Sequence, residues 1–159
     1  NTNGAPATST SYWNDVDPTL TVFSIGTDRD SAVEYINYCW AEVEGYSKFG
    51  SYTGNSSTDG PYIYTGFSPS YVMIKRLDAA DEWVIVDSAR SPYNPTKHYL
   101  AANYPDAERT TGTQVELDWA SNGFKVVVSH ARCNVGTYIY AAFAAHPFGG
   151  SGVGQARAR

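Results

Sequence analysis

The feature that most narrows what this chain can fold into is a series of short apolar runs, each closed by Gly, Asn, Asp or Pro. They are TLTVFSI (19–25), PYIYTGF (61–67), YVMIKRL (71–77), EWVIVDS (82–88), KHYLAA (97–102), QVELDWA (114–120), FKVVVSH (124–130) and TYIYAAFA (137–144). β-branched and aromatic side chains fit a pleated, half-buried surface, and the intervening turn residues end each extended run. Strands at spacings of about a dozen residues are the pattern of an antiparallel sandwich. No strand-helix-strand unit of the length a parallel crossover needs is visible. The expectation is an all-β fold, an antiparallel β-sandwich of jelly-roll-like kind with eight to ten short strands.

Alternation within the runs supports this. Val72 and Ile74 share one face while Lys75 takes the other, and Val84 and Val86 oppose Trp83, Ile85 and Asp87. The DAAD turn at 78–81 predicts a hairpin between two of the strands. Residues 31–46 read two ways. Ser31 with Glu34 imitates a helix capping box, and Val33, Ile36, Trp40 and Val43 stand at helical spacing. Tyr35, Ile36, Tyr38, Cys39 and Trp40 favour a strand instead, and 31–45 is expected to be extended. One helical turn is expected at 105–109. Residues 1–17 read as an arm or linker, 18–148 as the sandwich domain, and the Gly-rich 149–159 as a mobile tail.

Composition removes several function classes. A net charge of −5 would repel a phosphate backbone, so no nucleic-acid partner is expected. No apolar stretch approaches the ~18–20 residues of a membrane span, so no membrane insertion is expected. Cys39 and Cys133 have neither metal-type spacing nor a disulfide framework around them and are read as free thiols. The only methionine is Met73, which suggests a chain processed or excised from something longer.

The search for chemistry yields little. His98, His130 and His146 are scattered, so no metal site is expected. Asp15 and Asp17, Asp28 and Asp30, and Asp78 and Asp81 could offer oxygen ligands, but none continues into a calcium-loop pattern, and turn formation explains them. On a strand, Glu42 and Glu44 would share a face about 7 Å apart, a spacing open to a glycosidase pair and equally to two solvated acids. No GxSxG elbow is present. No catalytic residue, cofactor or enzymatic activity is expected.

What remains is a vocabulary of contact. The polar turn SKFGSYTGNSSTDGPY (47–62) carries Lys48, Phe49, Tyr52, Asn55 and Asp59, with Tyr46 just before it. A second loop carries Arg90, Tyr93, Asn94 and His98. Tyr with Asn, Asp and Ser suits a sugar-facing or antibody-like surface. The same residues could instead cover the ends of a sandwich and close its turns. The candidate ligand-binding set is Tyr46, Lys48, Tyr52, Asn55, Asp59, Arg90, Tyr93 and Asn94.

The segments AEVEGYSKFGSYTGN (41–55), GPYIYTGFSPSYVMIKR (60–76), DSARSPYN (87–94), SNGFK (121–125) and GTYIYAAFAAHPF (136–148) together resemble a functionally uncharacterised domain of marine bacteriophages, over roughly residues 31–148. The closing QARAR is similar to the short Ala-Arg tails of that family, whereas the cysteine in ARCNVGT departs from it. The resemblance implies a C-terminal module of virion proteins of tail-fibre or adhesin-like type, located on the tail or particle surface, extracellular, and assembled as a homotrimer with other virion proteins as partners. The expected function is a non-enzymatic tail-fibre tip or receptor-binding domain contacting a host surface glycan or protein. The alternatives are a capsid-decoration or fibre-attachment protein and a polysaccharide-degrading fibre domain.

Overall fold

The computed structural model describes residues 16–19, 21–27, 34 and 37–146. Among them are eight strands and no helix: β1 Ser47–Thr53, β2 Tyr62–Tyr64, β3 Pro69–Arg76, β4 Trp83–Asp87, β5 Leu100–Ala101, β6 Leu117–Ala120, β7 Gly123–Val126 and β8 Thr137–Ala144. They form a five-stranded sheet in the order β1-β8-β3-β4-β5 and a three-stranded sheet in the order β2-β7-β6, with every pairing antiparallel. The all-β sandwich expected from the runs is therefore the fold. Pairing β1 with β8 and β2 with β7 nests the chain first against last, as in a jelly roll. The DAAD turn departs from that scheme, folding β4 back beside β3 as the predicted hairpin.

The core follows from the alternation. Val72 and Ile74 of β3, Val84 and Val86 of β4, and Tyr138, Tyr140 and Ala142 of β8 are buried. So are Ile63 of β2, Leu117 of β6, and Phe124 and Val126 of β7, and all join one cluster. Each large aliphatic side chain removed from water there stabilises the fold by roughly 1.5–3 kcal/mol. The Phe124 ring of the small sheet meets Tyr140 of the large one edge to face, 5.6 Å between centroids. Two edges are capped. Glu42 accepts the Phe49 amide proton beside β1, and Thr96 exchanges both backbone hydrogen bonds with Leu117 beside β6.

The chain divides into two compact units, the described residues up to Trp40 and those from Ala41 onward. All eight strands belong to the second. In the first, the Thr19 hydroxyl accepts the Thr21 and Val22 amides in a side-chain turn, and Tyr38 stacks on Trp40 at 6.2 Å.

Four local expectations are corrected. The described residues within 31–45 form no strand, and residues 31–33, 35 and 36 lie outside the described set. Val43 makes a single bridge to Ser47 and its carbonyl accepts two turn hydrogen bonds, while Gly45 at φ 70° reverses the chain. Strand-forming side chains do not make a strand without a neighbour, and the position beside β8 belongs to β1. The described residues of 19–25 likewise form no strand. Ser47–Thr53, read as loop because of its Ser, Gly and Lys, is instead β1. Residues 105–109 form no helical turn, and Arg109 bridges Tyr99 through both backbone hydrogen bonds. Residues 1–15 of the expected arm and the whole tail 149–159 lie outside the described set.

Candidate functional site

The first group of candidate residues is split by β1. Tyr46 turns its ring edge-on to Phe143 at 6.1 Å, and Phe49 does the same at 5.7 Å. Lys48 is paired with Glu42 at 2.9 Å, and this hydrogen bond raises the lysine and lowers the carboxyl. Tyr52 stacks on Tyr138 at 5.0 Å and donates its hydroxyl proton to the Cys133 carbonyl at 2.8 Å. Burial first, then Cys133 and Tyr138, push its phenol well above the ordinary range. These side chains are committed to the scaffold.

Asn55 and Asp59 lie in the β1–β2 loop. The Asn55 carboxamide accepts the Ser57 amide and donates to the Asp59 carbonyl, closing the loop on itself. Asp59 reaches across to Lys125 of β7 at 2.5 Å, which holds its carboxyl below the usual range. The residue that organises this loop is Asn134, which sequence reasoning missed. It is fully buried; its Oδ1 accepts the Asn55 amide at 2.8 Å and its Nδ2 donates to the Ser57 and Val128 carbonyls. Nothing in the local run RCNVG marks it, because the loop it holds, through Asn55 and Ser57, is dozens of residues away.

The second group holds together as a loop. Asp87 at the end of β4 accepts the Ala89 and Arg90 amides and the Arg90 guanidinium, with Nε at 2.5 Å. Burial raises the Asp87 carboxyl, but the Arg90 side-chain and backbone hydrogen bonds outweigh it and leave it below the ordinary value. Asn94 presents its carboxamide to β6 as if it were a strand: Oδ1 accepts the Trp119 amide and Nδ2 donates to the Trp119 carbonyl, both at 2.9 Å. Thr96 is buried and donates to the Ser91 carbonyl. His98 is half-buried. Between Arg90 and Asn94 stands Tyr93, 82% exposed.

The strand registers set the distance between the two groups. Trp119, held by Asn94, pairs with Phe124, which pairs with Ile63, so the Tyr93 loop borders β6 while β2 lies at the opposite edge. The second candidate loop and the Asp59 end of the first therefore flank the small sheet from different sides. Alternation about the buried Ile63 turns Tyr62 and Tyr64 outward, 47% and 64% exposed. The YIY triplet was legible as a strand, and the same alternation was the available signal for two exposed rings.

Among the described residues, the acids Glu42, Glu44 and Glu82 each have separate surroundings. Glu42 accepts from Lys48 and from the Phe49 amide, and Glu44 stands exposed in the 43–47 turn, so the same-face pair expected of a strand does not form. Glu82 is buried against Arg109 and Arg132, whose guanidiniums lie 5.6 and 5.8 Å from the Tyr99 ring centroid. A carboxylate held by two guanidiniums joins loops together. Among the described residues no three His, Cys, Asp or Glu side chains gather as a metal site. Cys133 is buried, and that burial pushes its thiol up to about 12, whereas Cys39 is exposed; both are free.

No curated protein and no solved structure matches the chain. The family described as "Domain of unknown function (DUF7483)" matches residues 1–147.

Proposed function

The chain belongs to the DUF7483 family of domains of unknown function, and from the resemblance of its segments to a marine-bacteriophage domain we propose that it is a non-enzymatic bacteriophage virion module, a tail-fibre tip or receptor-binding domain that contacts a host surface glycan or protein. The observation that carries this reading is the Tyr93 loop. Its neighbours on both sides are tied to the scaffold, Arg90 through Asp87 and Asn94 through β6, while the one large ring between them faces solvent. A rigid loop that presents an aromatic ring loses little conformational entropy on binding.

In this reading the loop is a recognition element and the sandwich its support, in the common division between a rigid frame and functional loops. Assembly as a homotrimer among other virion proteins would repeat a weak contact and multiply its affinity by avidity.

The test is a glycan array probed with the whole chain, run beside Tyr93→Ala. We expect defined glycan signals that fall by roughly tenfold or more in the variant, the loss of a central aromatic contact, with no change in thermal unfolding midpoint. Equal array signals for the two proteins would overturn the loop as the recognition element.

A further inference from the structure

We propose that the outward face of the three-stranded sheet is a second, separate binding site, in which Tyr62 and Tyr64 of β2 form a stacking platform for a neutral polysaccharide.

The platform is built rather than incidental. A Cβ at Gly123 would stand 2.2 Å from the Ile63 carbonyl oxygen, 2.8 Å from the Tyr62 hydroxyl oxygen and 3.0 Å from its Cζ, so glycine at 123 admits both the close pairing of β2 with β7 and the Tyr62 ring lying across it. The Tyr62 hydroxyl then donates to Asn122 Oδ1, pinning the ring at its far end. Tyr64, two residues on, emerges on the same face. Tyr62 and Tyr64 thus occupy positions roughly 7 Å apart along one face of the strand.

The rim supplies the chemistry that rings lack. Register places Tyr62 beside Lys125 and Lys125 beside Asp118, and Asp59 reaches Lys125 from the preceding loop. The Lys125 ammonium is therefore paired with Asp59, and a second acid, Asp118, stands opposite it in the register. Beside them, the Asn122 amide hydrogens have no partner among the described residues, because its oxygen is what Tyr62 engages. Sugar hydroxyls both donate and accept, so this alternation of donors and acceptors suits them. Two acids against one base exclude a polyuronate or sulfated chain by repulsion. The C–H face of a pyranose carries slight positive charge and matches the negative face of a tyrosine ring.

Native electrophoresis of the whole chain in gels containing hydroxyethylcellulose, dextran, laminarin or galactomannan, with polygalacturonate as the acidic counterpart, tests this. At least one neutral polymer should retard the protein while polygalacturonate does not. Tyr62→Ala and Tyr64→Ala should each weaken that retardation by roughly tenfold, Tyr64→Phe should retain it, and Tyr93→Ala should leave it unchanged. Both tyrosines point away from the core, and unchanged thermal unfolding would verify that the alanine variants fold. No retardation by any neutral polymer, or a Tyr62→Ala/Tyr64→Ala protein retarded like the parent, would overturn the proposal. So would loss of retardation in Tyr93→Ala alone, which would move the site to the loop.

Discussion

The side chain of Asn134 is buried with both of its polar ends engaged, its oxygen on the Asn55 amide and its nitrogen on the Ser57 and Val128 carbonyls. Its own carbonyl accepts the Ser56 amide, and the backbone of Gly54 comes so close that a Cβ there would stand 2.3 Å from the Asn134 carbonyl carbon. Replacing it with alanine takes the side-chain partner from three backbone groups, of which the Val128 carbonyl is buried. We expect Asn134→Ala to lose about 2–4 kcal/mol of stability, read as a lower urea midpoint with an unchanged slope. Asn134→Asp should be worse, because a carboxylate would turn an oxygen towards two carbonyls. Tyr52 teaches the complementary lesson. As a tyrosine in a polar stretch it looked like a contact residue, yet its ring is stacked on Tyr138 and its hydroxyl is bound to Cys133. Residue type alone does not distinguish a tyrosine that faces a ligand from one that closes a core.

The elements that were misread share a cause. β1 is a strand because β8 offers it seven registered partners, from Ser47 with Phe143 to Thr53 with Thr137, although its composition is that of a turn. The residues before it carry the stronger strand formers, yet their described part pairs only at Val43. Pairing outranks propensity when one edge has room for one strand. At the end of β4, Asp87 closes the turn that launches the Tyr93 loop. Its depressed carboxyl means that its contribution to stability is complete above the unfolded value, near pH 4, and is lost as the pH falls through the lower folded value. We therefore expect Asp87→Asn to be less stable than the parent at pH 7 by roughly 1–2 kcal/mol. That gap should close as the pH at which unfolding is measured falls below about 4.

At the scale of the whole molecule, the two sheets are joined by interdigitated side chains and by few hydrogen bonds. Phe124 is the clearest single link, fully buried in the small sheet and facing Tyr140 and Tyr52 of the large one. We expect Phe124→Ala to lose about 3–5 kcal/mol, with near- and far-ultraviolet circular dichroism melting together, as in a two-state domain. The class of fold, seven of the eight strands and the inward faces of β3 and β4 are legible in the order of residues alone. Each of these rests on a period-two pattern or a turn residue that acts within a few positions. Long-range packing settled that Ser47–Thr53 takes an edge, that Asn94 stands in for a strand beside β6, and that Asn134 ties down a loop some eighty residues earlier in the chain. It also decided that Tyr52 packs on Tyr138 while Tyr93 faces water. Such facts depend on which distant backbone arrives alongside, and a local pattern of side chains carries no record of that.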